Sequence, residues 1–357
     1  MATIWAHSGD SHVLEPDDLW LRRLPGDLAE RAPRVVRDDE REIVYVDGTM
    51  VRRDPIAFSD ANRPPGALDV ALRIGDLDRQ GIWGEAVFPS RGLWTTIIKD
   101  PVLARECIRA YNDWCADTVN AASDRLIGTA IVSMLDTDDA VGELQRAAGL
   151  GFRAVFMATT PPEGRGFNLE LWEPLWAAAE EAGLPLCFHV GTGTDVKATR
   201  GPGGAVINYV ETFFPGQRTV AHLVASGALD RHPDLKVFIA EGGAAWAPAL
   251  ADRMDEAYRQ HGMFVRPVLS ELPSSYIYRQ VYTSFQHDRT AVTAVEAMGY
   301  DKVLWGSDYP HVEGTFPNTQ AVLADLFDGV PDAVRRRVTL ETFEELFSFP
   351  AGAPGEG

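Results

Sequence analysis

The sequence predicts a (β/α)8 barrel, on three observations. Short apolar runs recur at 82–89, 127–134, 154–159, 185–190, 236–241, 281–285 and 303–308, and a first strand over 3–10 makes eight. Helical periodicity fills the stretches 69–80, 101–123, 137–149, 169–183, 217–230, 246–261, 288–299 and 316–327. Polar residues recur at many strand ends, where a barrel gathers its chemistry. Strands each followed by a helix imply parallel pairing through right-handed crossovers. A doubly wound open sheet is the runner-up, weighed lower because no glycine-rich phosphate fingerprint follows the first strand.

Taken in order, the first strand gives way to Glu15-Pro16-Asp17-Asp18, which opens a helical turn through Leu24, with proline and acids where a helix start favours them. Residues 25–66 interrupt the alternation. They are rich in Arg, Asp and Pro, and Arg41 to Val51 reads as a hairpin turning at Asp47-Gly48, so the stretch is expected to be an inserted flap. Residues 331–347 read as an extra amphipathic C-terminal helix or pair. The expectation is one domain over 1–348, with 349–357 a flexible Pro/Gly tail.

With 357 residues, 45% of them hydrophobic, the chain can bury one large core. A net charge of −19 excludes nucleic acid and anionic membranes as expected partners. Cys107, Cys115 and Cys187 are an odd number without metal-site spacing, which fits a reducing compartment. The first ten residues carry no basic leader, and no apolar run approaches the roughly 20 residues of a membrane span. A cytoplasmic protein is expected.

The stretch that organises the chemistry is Val303 to Gly314, V-L-W-G-S-D-Y-P-H-V-E-G. It delivers Asp308 where a buried strand stops, and an ionised acid there needs a partner. Asp10 with His12, His189 and Glu241 end three other strands, and a barrel mouth brings such residues together. Asp10 and His12, two apart, share a face if the strand runs through them; His7 has the opposite parity and reads as a packed or surface histidine. Two imidazoles with several carboxylates suit Zn²⁺, Mn²⁺ or Fe²⁺. A divalent cation also offsets the mutual repulsion of three carboxylates, leaving one surplus negative charge for a base or proton carrier, Asp308 or Glu241. The only lysines are Lys99, Lys197, Lys236 and Lys302, and Met157-Ala158-Thr159 ends the fourth strand, so no carbamylated lysine bridges two metals there. One metal ion is expected.

Asp-Ser-His after the first strand, a lone His after the fifth, A-E-G-G after the sixth and G-S-D-Y-P-H after the eighth resemble the amidohydrolase superfamily. The closest branch is the amidohydrolase-related group that includes aminocarboxymuconate semialdehyde decarboxylase and related aromatic-acid decarboxylases. The resemblance runs from Asp10 to about Phe347 and includes D-S-H-V-L-E-P and L-D-R-H-P-D-L-K-V. It implies one ion in the barrel mouth, zinc first and manganese next, held by His12, His189 and Asp308 with Asp10 as a further ligand, and a homodimer. Glu241 departs from it, because the decarboxylases resembled carry a catalytic histidine at that strand end.

The departure makes hydrolysis of a small-molecule amide, ester or lactone the first expectation, by a water activated on the metal, with Asp308 and Glu241 moving the proton. Metal-dependent non-oxidative decarboxylation of an aromatic or enoic acid is the alternative, and would use Arg53, Arg63 or Arg91 to hold a carboxylate. A catalytically inactive ligand-binding barrel is the second alternative. Trp246 and His287 are candidate substrate contacts, and His311 and Glu313 candidates to orient Asp308. His222 and His232 read as structural.

Overall fold

Apolar runs in this chain become strands because both faces are covered: every residue of Val155–Thr160 and of Val281–Phe285 is buried, as parallel strands require. The computed structural model describes residues 3–193 and 199–354; Lys197 and the last three residues of the tail lie outside them. The barrel strands are β1 (Ala6–Ser8), β2 (Ile82–Pro89), β3 (Leu126–Gly128), β4 (Val155–Thr160), β5 (Leu186–Gly193), β6 (Val237–Ala240), β7 (Val281–Phe285) and β8 (Val303–Trp305). Neighbours pair in parallel from β1 through β8, with the two-residue strand Ala130–Ile131 carrying the ladder from β3 to β4. The ring closes between its ends: Gly9 N–H donates to the Trp305 carbonyl at 2.8 Å and Asp308 N–H to the Asp10 carbonyl at 2.9 Å.

Three of the helices begin where an acid satisfies their first free N–H groups. Asp69, Asp100 and Asp136 cap Val70–Gln80, Pro101–Cys115 and Thr137–Gly149 in this way. Two helices the sequence reading omitted, Gly204–Glu211 and Pro273–Gln280, sit in the loops after β5 and before β7.

Several boundaries differ from expectation, each for a local reason. The first strand stops at Ser8 and resumes only as His12–Val13, because Gly9 passes against Leu304, where a Cβ would come within 3.0 Å. Alternation along a continuous strand is therefore not what brings Asp10 and His12 together. The run 127–134 is split at Thr129, and the Asn112 amide bonds both the N–H and the carbonyl of Ile131. β6 and β8 end before Glu241 and Asp308, whose φ of 60° and 52° place them in the left-handed region, sparsely populated by residues other than glycine. The stretch 217–230 is two helices, Phe214–Ala225 and Ala228–Arg231.

The flap is a three-stranded antiparallel sheet, Arg34–Arg37, Arg41–Val46 and Thr49–Pro55, turning at Asp47-Gly48. Its first strand was missed because Val35 and Val36 are its only apolar residues. The flap is tied to the barrel by charge: Arg63 pairs with Glu42 and with Asp17, and Arg91 pairs with Asp17 and bonds the Glu15 carbonyl.

At the opposite end, Lys236 and Lys302 both reach Glu345. His7 is packed, stacked on Phe343 at 4.9 Å, and burial pushes its imidazole down to about 3, so it stays neutral. The tail does not fray from its first residue, since Phe349 is buried against His7 and Phe343. The three cysteines are free and buried. Among the described residues no helix is long and apolar enough to cross a membrane.

Candidate metal centre

Three strand ends meet at the seam where β8 returns to β1. Asp10 and His12 follow β1, His189 lies in β5 and Asp308 follows β8, and all four are buried. Each histidine is held by its inner nitrogen. His12 Nδ1–H donates to the Pro89 carbonyl and His189 Nδ1–H to the Val190 carbonyl, both at 2.9 Å. Those bonds fix the tautomer and turn each Nε2 lone pair toward the cavity.

The two Nε2 atoms face carboxylates at close range. His12 Nε2 lies 3.8 Å from Asp10 and 3.7 Å from Asp308, and His189 Nε2 lies 3.4 Å from Asp10. Donors about 2.1 Å from one ion stand roughly 3 to 3.5 Å apart, close to these separations. Both oxygens of Asp10, both of Asp308 and the two Nε2 atoms are buried without a hydrogen-bond partner. Six buried polar atoms without partners would be costly unless something satisfied them. A divalent cation fits: two imidazoles and two carboxylates are its nitrogen and oxygen donors, and its charge offsets theirs.

Electrostatics without the ion agree. Burial raises the Asp308 carboxyl well above the usual range, and the Asp10 and Glu313 carboxylates raise it further. Glu241 is raised in the same way by burial and by Asp308. Burial, then His311 and His189, pushes His12 down. His189 is raised to about 9, as Asp10 and Glu241 outweigh the opposing effect of its burial.

Around these four, Glu241 approaches His189 Nε2 at 3.8 Å, and its backbone N–H donates to the Ser284 hydroxyl. His311 Nδ1 is 2.8 Å from Asp308 Oδ1, an ion-pair distance outside hydrogen-bond alignment. Beneath the strand, Arg73 pairs with buried Glu85 and donates to the His12 carbonyl at 2.7 Å. Arg73, Glu85 and Ser284 support the site through backbone and buried charge, and no motif in the sequence marks them.

A cavity of about 840 Å³ opens between flap and mouth, walled by Val44, Val51, Phe58, Leu93, Trp94 and Ile97. Arg63, Arg91 and His311 also line it. Arg53 does not; it is exposed on the flap sheet. Trp246 is a packing residue, its indole N–H shared by the Gly242 and Gly243 carbonyls. His287 is exposed and donates to the Glu313 carbonyl, so it does not take the place of the absent histidine. His232 is held between Glu173 and Glu180.

Gly306 is required by the seam, because a Cβ there would stand 2.8 Å from that of Asp10. Gly306→Ala is expected to cost about 1 to 3 kcal/mol of stability from overpacking and to weaken metal binding by moving Asp10. Thermal melts and manganese titration check both effects; unchanged metal affinity would dissociate Asp10 from the centre.

A closed eight-stranded barrel carrying histidines and carboxylates at its strand ends defines the class of barrel enzymes with a metal centre in the mouth. The amidohydrolase family model matches residues 82–349, and the chain belongs to that family. A gamma-resorcylate decarboxylase from Rhizobium radiobacter is 25% identical over 254 residues, covering 64% of this chain and 74% of the relative. An amidohydrolase structure from Mycobacterium avium subsp. paratuberculosis K-10 superposes with a TM-score of 0.81 at 21% identity, over 97% of this chain and all of the other. A dihydroxybenzoic acid decarboxylase from Polaromonas sp. JS666, with bound manganese and the inhibitor 2-nitroresorcinol, gives 0.68 at 17% identity over 99% of both chains.

Proposed function

We propose that this enzyme is a metal-dependent, non-oxidative decarboxylase of an aromatic acid. The observation that carries the reading is the set of six unpartnered donor atoms beside a cavity of mixed lining that Phe58 and Trp94 share with charged side chains, in a chain whose curated relative is a decarboxylase. Asp10, His12, His189 and Asp308 hold the ion, which supplies Lewis-acid attraction for a substrate carboxylate and a neighbouring oxygen. The manganese in the Polaromonas decarboxylase supports Mn²⁺; the donor set also suits Zn²⁺ or Fe²⁺.

Trp94 and Phe58 offer flat apolar surface for the ring and keep water from it. Asp308, reprotonated through His311 after the ion has displaced its own proton, delivers a proton to the ring carbon bearing the carboxylate. The bond to the carboxylate carbon then breaks, its electron pair returns to the ring, and carbon dioxide leaves. His311, beside Asp308, is placed to return the proton. Arg63 is paired with Glu42 and Arg91 with Asp17, while Arg91 Nη2 is buried without a partner at the cavity wall and has a donor to offer a substrate carboxylate.

One observation favours a second reading. Glu241 occupies the strand end where the resembled decarboxylases carry histidine, and paired with Asp308 it would suit hydrolysis of an ester, lactone or amide. Manganese-loaded protein in heavy water, offered hydroxybenzoic acids beside aryl esters and lactones, separates the two. Metal-dependent carbon dioxide release with deuterium at the vacated ring carbon is expected. Ester cleavage without carbon dioxide would replace the proposal with hydrolysis, and neither reaction from a metal-loaded protein would leave a binding barrel.

A further inference from the structure

A second cavity, of about 750 Å³, shares the wall Thr96–Lys99 with the first. The end of β4, the loop after it and the helix Phe214–Ala225 form the rest, and no residue of the metal centre borders it. Its charge runs against that of the chain. With 52 acids to 33 bases, a basic side chain readily finds a carboxylate, as Arg63, Arg73 and Arg91 do. Lys99 and Arg218 border the second cavity, and among the described residues neither side chain has an ion pair or a hydrogen bond. Glu163, the acid in the wall, is exposed and pairs with neither. Arg218 and His222 stand four apart on the helix and so share a face. Burial and the Arg218 charge hold the His222 imidazole below its usual range, so the cation has no counter-charge from its own helix face. Around the cations the wall is mixed: Thr160 adds a hydroxyl without a partner among the described residues, and Ile97, Leu135 and Phe167 add apolar surface.

We propose that the second cavity binds an organic anion, with Lys99 and Arg218 on its carboxylate or phosphate head and Ile97, Leu135 and Phe167 on its apolar body. Arginine and lysine are donors only, so neither can satisfy the other and the ligand must bring the lone pairs. A guanidinium takes either head through two parallel N–H donors, and an ammonium adds a point charge. Both cations are exposed, so an anion reaches them without stripping water from a buried charge. The site needs no metal. It stands or falls apart from the decarboxylase reading.

Calorimetric titration of the full manganese-loaded chain with phenyl phosphate and with phenylacetate tests the site, with phenol as the uncharged control. The anion with the preferred head is expected to bind whether manganese is present or has been removed by chelation, and phenol is not. The tighter head names the ligand class. Arg218→Gln and Lys99→Gln are each expected to weaken binding about 10- to 100-fold, the loss of one charge-assisted hydrogen bond, and Arg218→Lys by less. Manganese affinity should be unchanged in all three, which also shows them folded. No binding, binding only with manganese present, binding undiminished in the double glutamine variant, or phenol bound as tightly as the anions would overturn the site. None of these results bears on whether the metal centre releases carbon dioxide.

Discussion

Asp308→Asn is expected to lower turnover by about 100- to 10,000-fold, the range a positioned acid or base contributes, with the fold intact. Asparagine has the same size, and it tolerates the left-handed backbone that residue 308 adopts at φ 52°. Its N–H still reaches the Asp10 carbonyl across the seam. What is lost is the transferable proton and one negative charge, so manganese affinity falls as well. Turnover at saturating manganese, with circular dichroism and metal content measured on the same sample, separates the two losses. Activity within tenfold of wild type under those conditions would remove Asp308 from proton transfer.

Removing the ion is the second large effect. Dialysis against a chelator is expected to bring activity to background and added Mn²⁺ to restore it. An ion present at 100 times its dissociation constant also stabilises the fold by about 2.7 kcal/mol, seen as a lower melting temperature after chelation. The pH dependence has a definite sign. In the metal-free protein the Glu241 and Asp308 carboxyls are raised by burial and by neighbouring carboxylates, and His189 is raised to about 9. All three therefore keep protons at pH values where ordinary carboxyls and imidazoles have lost them, and a cation must displace those of His189 and Asp308 to bind. Affinity should weaken toward acid, and strengthen from neutrality up to about pH 9, with protons released on binding. Titrations in weakly buffered solution measure that release; uptake independent of pH across this window would contradict the site electrostatics.

Much of the architecture was legible because a parallel barrel writes itself as buried apolar runs. β2 was delimited residue for residue and β7 likewise. The ends of β1, β6 and β8 were not. There the chain leaves strand geometry to aim a side chain, and the deviation depends on neighbours hundreds of residues away, such as Leu304 against Gly9. That Asp10, His12, His189 and Asp308 come together was readable for a related reason: a histidine or acid ending an apolar run conflicts with burial unless it has a task. Arg53 failed because a strand's two faces look alike without knowledge of which one covers the cavity. Arg73 and Ser284 were silent, since a residue that acts by holding a backbone group carries no signature of what it holds.

The seam between β1 and β8 carries a consequence for biogenesis. Asp10 is translated well before Asp308, so a nascent chain has no complete cation site until Asp308 has been added. Ion capture would thus report that the eighth strand has been made, and a product truncated before Val303 would lack Asp308 along with that strand.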